Sequence, residues 1–372
     1  MKRLLRAPLR PVFAAAALLA AAWPVAAQND NSFFTAPVTR VTPKGLRMES
    51  DKNEPAHVKL PELDVKAGVL GLDITETATG RQLDELRALS QFGHRVEIVV
   101  DITPPGGGAP THIEAIADKA TLQPVARTLV LSGNVDGFYQ LKDGVKTSLR
   151  GETVNVKYEN KNLVVNVEGS ANGVRLEVPA EALSQPGALG TVVFTAKRAS
   201  LDQNGGVARL SGSARAVSTD GPNKFDVAAD EFVLTRSSTD GTIDKLVTVG
   251  RTSLKMDLPP EPPAASTAPG STTPVVVEDK KIDIGRPSHI EAEADSMTIT
   301  RPDNLLVFEG NVEGFYQLSA EGAQAETRYN FSGDRAEVLY AEEAAGDLAA
   351  GLNVKVTGKP GRIDLPGFKL GF

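Results

Sequence analysis

The chain reads as all-β, an elongated jelly roll or solenoid assembled from repeated strand-turn-strand rungs, and three observations predict it. The block from His112 to Leu141 returns at His289 to Leu318 without a gap, and more than half of the thirty aligned pairs are identical. Unrelated segments share roughly one residue in fifteen from average usage, so the two copies solve one packing problem twice. Within each copy apolar and polar residues alternate: Ile290, Ala292 and Ala294 stand against Glu291, Glu293 and Asp295, a period of two that gives an extended strand one face for a core. The composition agrees, since 34 glycines, 24 prolines and only 5% aromatic residues favour short strands and many turns over an α/β layer architecture.

Residues 1–27 have the form of a secretory signal peptide. Lys2, Arg3, Arg6 and Arg10 precede an apolar run from Val12 to Ala22, and Val25-Ala26-Ala27 supplies small residues for cleavage before Gln28. That run falls short of the ~20 residues that span a bilayer, which favours a cleaved leader over an anchor and an exported protein, periplasmic if the resemblance given below holds. Residues 28–66 are polar and irregular and read as a mobile segment or a first edge strand. Arg81 to Ser90 is the one helix candidate of the body, with Leu83, Leu86 and Leu89 on one face and Gly93 as its stop. Val96, Ile98, Val100 and Ile102 alternate as a strand, followed by a Pro/Gly turn at 104–108.

The repeated block comes next. Leu129-Val130-Leu131 and Leu306-Val307-Phe308 are strand-like runs that lead into Gly133-Asn134 and Gly310-Asn311. Gly and Asn both tolerate positive φ, so the pair reads as a tight reversal, with Val135 and Val312 restarting a strand. A divergent third copy lies between them. Its Ala196, Ala199, Leu201, Leu210, Ser211 and Gly212 stand 79 residues beyond Ala117, Ala120, Leu122, Leu131, Ser132 and Gly133. Half-units follow each copy, at 151–169, 228–250 and 331–358. In the first of them Val154, Val156 and Tyr158, then Leu163, Val165 and Val167, alternate with polar residues as a half-buried strand pair does. Residues 259–273 are rich in Pro, Ser, Thr and Ala and have nothing to bury. The expected organisation is therefore a first β array over 67–258, a linker and lead-in strand over 259–285, and a second array over 286–372.

Composition also excludes. The formal charge is −7, and removing the leader, with its four basic residues and no acids, takes it to −11, a balance unsuited to nucleic acid. Cysteine is absent, so there is no disulfide framework, thiolate site or Cys nucleophile. His112 and His289 occupy equivalent positions without a second ligand at metal spacing, and Asp118 and Asp295 recur singly, which is turn chemistry rather than paired-carboxylate catalysis. No P-loop, HExxH or Ser/His/Asp order occurs. The chain is not expected to be an enzyme or to use a cofactor or metal.

One pattern carries a resemblance: Ala-Asp, about fourteen residues, then an apolar strand ending in Gly-Asn-Val, written as Ala117-Asp118 with Gly133-Asn134-Val135 and as Ala294-Asp295 with Gly310-Asn311-Val312. It resembles the OstA-like, LptA-type family of periplasmic lipopolysaccharide-transport proteins. The middle copy departs from it, with Ala196-Lys197 and Gly212-Ser213-Ala214. The resemblance spans most of residues 110–358. It implies a β-jelly roll whose two sheets enclose an apolar groove for lipid A acyl chains. It also implies end-to-end homo-oligomers and partners among the other OstA-like transport components at the inner and outer membranes. By alternation parity the groove-lining candidates are Leu129, Leu131, Val154, Val156, Leu163, Val165, Leu306 and Phe308, and each of these also fits an ordinary sandwich core. Phe138-Tyr139 and Phe315-Tyr316 fit either a groove mouth or the aromatic close of a repeat. Two rival classes stay open: a secreted structural or adhesive β-solenoid without lipid cargo, which shares the repeats and the leader but has a tightly filled interior, and a carbohydrate-active enzyme on a parallel β-helix, which needs several Asp, Glu or Arg residues clustered on one exposed strand face.

Overall fold

The computed structural model describes residues 33–364 apart from 61, 78–79, 103–110, 142–145, 160–161, 184–189, 203–204, 219, 221–223, 238–242, 258–286, 301–302, 304, 319–326, 341–351 and 359. The leader, the 104–108 turn and the Pro-rich linker lie outside the described residues. What is described is all-β: strands β1–β26 account for nearly all of it, with one helical turn at Ala180–Leu183. The chain divides into two compact units, Met1–Val178 with Thr195–Leu210, and Pro179–Phe194 with Ser211–Phe372.

The first unit holds two antiparallel ladders. One runs β2 (Val38–Thr42), β3 (Gly45–Glu49), β6 (Val69–Thr77), β7 (Gly80–Leu89), β10 (Lys119–Gln123), β11 (Thr128–Leu141), β12 (Thr147–Glu159), β13 (Asn162–Glu168) and β16 (Arg198–Asp202). The other runs β1 (Phe33–Thr35), β4 (Ala56–Leu60), β5 (Leu63–Ala67), β8 (Val96–Ile102), β9 (Thr111–Ala117), then the second half of β11, the first half of β12, and β14 (Val174–Pro179). The long strands β11 and β12 thus belong to both ladders. The apolar parity of each strand turns inward, as with Ile113, Ala115 and Ala117 or Leu163, Val165 and Val167, all buried.

The second unit repeats this plan. One ladder joins β18 (Lys224–Arg236), β19 (Ile243–Val249), β22 (Ser296–Thr300), β23 (Leu305–Leu318), β24 (Thr327–Tyr340) and β25 (Leu352–Thr357). The other joins β18, β20 (Thr252–Asp257), β21 (Pro287–Ala294), β23, β24 and β26 (Arg362–Ile363). β15 (Thr191–Ala196) and β17 (Val207–Ser218) contribute residues to both units. Strands on either side of the Pro-rich segment pair directly, β20 with β21 and β19 with β22. Residues 211–257 therefore pack with the C-terminal repeat, not with the first array as the linker suggested.

Three further expectations are corrected. Gly133-Asn134 and Gly310-Asn311 do not reverse the chain. Each pair is in the left-handed region, at φ 80° and 47° and at 77° and 48°, and forms a bulge inside a continuous strand, where the register shifts between Ser132 and Val135 and between Glu309 and Val312. The bulge bends the strand so that one half serves each ladder. The helix expected over Arg81 to Ser90 is instead strand β7, Gly80–Leu89. Opposite Asp73 and Ile74 stand Glu85 and Leu83, which leaves Asp84 as an extra residue. Leu83 and Leu86 both face inward because that bulge resets the parity, and a spacing of three then mimics a helical face. The segment 28–66, expected to be a mobile stretch or a first edge strand, carries β1–β5 from residue 33 onward.

Single residues make the corners between ladders. Asp118 separates β9 from β10 and Asp295 separates β21 from β22. The Asp118 N–H donates to the carbonyls of Ser132 (3.1 Å) and Gly133 (2.9 Å), and that of Asp295 to Gly310 (2.8 Å). Each carboxylate accepts from the bulge asparagine, Asn134 at 3.2 Å and Asn311 at 2.8 Å. The turn chemistry read for both aspartates is what they perform.

Candidate functional site

The inner faces of the two ladders meet in an interior lined by apolar side chains. In the first unit it contains a cavity of about 20 Å³. Ile113 and Ala115 of β9, Gly137 and Tyr139 of β11 and Leu149 of β12 wall it from one ladder, and Leu131, Val154, Val156, Leu163 and Val165 from the other. That volume has room for about one water, and the lining offers such a water few partners.

The structure brings together five of the eight residues picked by parity: Leu131, Val154, Val156, Leu163 and Val165. Leu129 faces the same interior one cross-strand pair further along, opposite Val156. Leu306 and Phe308 occupy the corresponding places of the second unit. All eight are at most 5% exposed. The lining from the other ladder escaped the sequence reading. Ile113 and Ala115 showed the inward alternation, but Gly137, Tyr139 and Leu149 lie beyond the bulge, where parity could not be carried through.

Gly137 is tight in its place. A Cβ there meets the Glu114 carbonyl oxygen at 2.5 Å and the Ala115 methyl at 2.7 Å, so the inner surface stays recessed. In the second unit the corresponding Gly314 lies under the Phe331 ring, whose Cζ is 2.5 Å from where a Cβ would sit. Tyr316 and Tyr329 stack there with ring centroids 4.9 Å apart. Burial, with the neighbouring Tyr329 adding, pushes the Tyr316 hydroxyl above its ordinary pKa.

The outer faces carry a polar cluster in each unit. His112 Nδ1 lies 2.8 Å from Asp101 Oδ1, its ring 5.8 Å from that of Phe138, and the Lys146 ammonium sits 3.3 Å over the Phe138 centroid. In the second unit His289 Nδ1 lies 2.6 Å from Asp257 and Nε2 3.1 Å from Glu291, with Phe315 at 5.7 Å and Arg328 at 3.5 Å over that ring. Burial lowers the His289 pKa, but the hydrogen bonds and charges of Asp257 and Glu291 outweigh it and hold the pKa above the ordinary value. Among the described residues no group of three or more His, Cys, Asp or Glu side chains is arranged to hold a metal ion, and no helix is long and apolar enough to cross a membrane. Of the basic residues that could face an anionic ligand, Arg150 is paired with Asp136 at 3.1 Å, while Lys197 and Arg198 are exposed.

No family model and no curated protein matches the chain. Among solved structures, the crystal structure of LptH, the LptA homologous periplasmic component of the lipopolysaccharide transport device from Pseudomonas aeruginosa, aligns over 45% of this chain and 94% of that one. The identity is 15% and the TM-score 0.25, and at those values the likeness adds no weight to a reading of this chain.

Proposed function

We propose that the protein is a periplasmic carrier of lipopolysaccharide that holds acyl chains of lipid A in the seam between its ladders and passes them between membranes with other OstA-like components, itself included, end to end. The observation that carries the reading is the cavity in the first unit, enclosed between two ladders and walled by Leu131, Val154, Val156, Leu163 and Val165. An acyl chain crossing water costs about 0.8 kcal/mol per exposed methylene, so a carrier needs such a lining in an unbroken stretch. Loading there requires the ladders to part, because this cavity has room for about one water.

That narrowness favours a second reading, a secreted scaffold whose interior is ordinary core. The two differ in one measurement. With a photo-crosslinking amino acid at Leu131 and purified lipopolysaccharide, a carrier gives crosslinks that survive moderate salt, since burial of acyl chains is not screened. Crosslinks from an exposed position such as Ile116 with none from Leu131 identify a scaffold. Crosslinking from Leu131 that vanishes at moderate salt assigns the binding to Lys and Arg contacts with phosphates instead.

A further inference from the structure

The two copies of the repeat have not kept the same interior, and the cross-strand register shows where they part. Gly137 and Gly314 are the same glycine of the repeated block. Opposite Gly137 stands Leu149, and opposite Gly314 stands Phe331. One pair further out, Tyr139 faces Thr147, whereas Tyr316 faces Tyr329. At the other end two mid-sized side chains stand against one large and one small: Leu131 faces Val154, and Phe308 faces Ala336. Around the recessed glycine the second unit gains two aromatic rings, Tyr329 and Phe331, where the first unit has Thr147 and Leu149.

These rings fill the place that is open in the first unit. Phe331 is 3% exposed and presses on the bare backbone of Gly314, while Leu149 leaves the same recess over Gly137 as part of the cavity wall. The Tyr316–Tyr329 stack closes the seam next to it. Parting the ladders of the second unit separates interlocked rings as well as aliphatic contacts; parting those of the first separates aliphatic side chains already spaced by a void. Dispersion contacts are lost steeply once a gap opens, so the first unit is the one that yields.

We infer that the two units have divided their labour: acyl chains enter the first unit alone, and Phe331 with the Tyr316–Tyr329 stack is an aromatic plug that keeps the second unit empty. This rests on the carrier reading. It adds that the chain takes a single set of acyl chains, and that Leu149 and Phe331 decide which unit takes them.

The test uses the full chain and a sixteen-carbon fatty acid bearing a terminal diazirine, with labelled peptides mapped by mass spectrometry. Wild-type protein is expected to label on β11–β13 at least tenfold more than on β23–β24. Leu149→Phe is expected to reduce labelling of the first unit about tenfold, and Phe331→Leu to raise labelling of the second to a comparable level, with circular dichroism confirming that both variants keep their strand content. The wild-type map needs no variant and decides by itself if either fails to fold. Equal labelling of the two units in wild type overturns the plug and leaves the carrier standing, as does full labelling of the first unit in a folded Leu149→Phe. No labelling of either interior in any of the three proteins overturns the carrier reading and the plug with it.

Discussion

Replacing Gly310 by alanine tests the bulge on which the two-ladder plan depends. Gly310 sits at φ 77°, a region that costs an L-residue roughly 1–2 kcal/mol. Its added methyl meets the Asp295 side chain, with Oδ2 at 2.4 Å and Cβ and Cγ at 2.9 Å. Asp295 must swing away, and its 2.8 Å hydrogen bond from Asn311 is lost, which adds about 1 kcal/mol. The expected cost of Gly310→Ala is therefore about 2–3 kcal/mol, read as a lower urea midpoint at constant slope. In an Asp295→Gly background the carboxylate, its Cβ and the hydrogen bond are all gone, so the same substitution is expected to cost only the backbone share, about 1–2 kcal/mol. A cost below about 0.5 kcal/mol in wild type refutes the strained bulge. An equal cost in the two backgrounds refutes the part assigned to Asp295.

Deleting Asp84 removes the extra residue of β7 and leaves Leu83, Glu85 and Leu86 in plain alternation opposite Ile74, Asp73 and Leu72; both leucines keep their inward face, so the expected loss is below about 1 kcal/mol, measured by urea unfolding, and a loss of several kcal/mol contradicts the assignment of Asp84 as the extra residue. Thr248→Val leaves the Met297 N–H, which donates to Thr248 Oγ1 at 2.7 Å in a buried site, without its acceptor, and is expected to cost about 1–3 kcal/mol in the same assay. For His289 the folded pKa is raised, so its contribution is complete below the unfolded value near 6.5 and disappears as pH rises through the folded one. With exposed partners this amounts to less than about 1 kcal/mol. Unfolding midpoints between pH 6 and 9 are expected to fall in wild type and to fall less in His289→Gln; identical pH profiles contradict the assignment.

The strand content and the repeat were legible because alternation and duplication are local properties. Ile113, Ala115 and Ala117 announce their inward face without any knowledge of a partner. What the sequence concealed was the count of residues at bulges. Asp84 looks like any polar residue on a helix, and only its missing cross-strand partner reveals that it interrupts a strand. Gly133-Asn134 carries the right conformational signature for a reversal, and positive φ at both residues is what the structure shows, yet the hydrogen-bond partners on either side decide between a hairpin and a bend. For the same reason half of the interior lining was found and half missed. Parity assigns Leu131 or Val154 on the near side of a bulge and says nothing of Gly137 or Leu149 on the far side. The linker misled for another reason. A Pro-rich run reports that its own residues bury nothing, and it does not report whether the strands it connects, β20 and β21, are neighbours.

The narrow seam constrains how a carrier of this design must work. Were the interior of the first unit held open without cargo, Leu131, Val154, Val156, Leu163, Val165 and Leu149, each at most 7% exposed, would face water at about 25 cal/mol per Å² of apolar surface, and the open face would be an aggregation site. A carrier that closes on itself between cargoes avoids that. Loading then exchanges contacts between ladders for contacts between each ladder and a hydrocarbon, two apolar environments of similar worth, and the large transfer term is left to the lipid alone. Such an exchange is close to balanced for the protein, which is what handing cargo onward requires, because a site that gripped strongly would not release. A filled interior is therefore shared by carrier and scaffold. They differ in whether the ladders can part, and that places the decisive difference at the residues opposite the recessed glycines, Leu149 in one unit and Phe331 in the other.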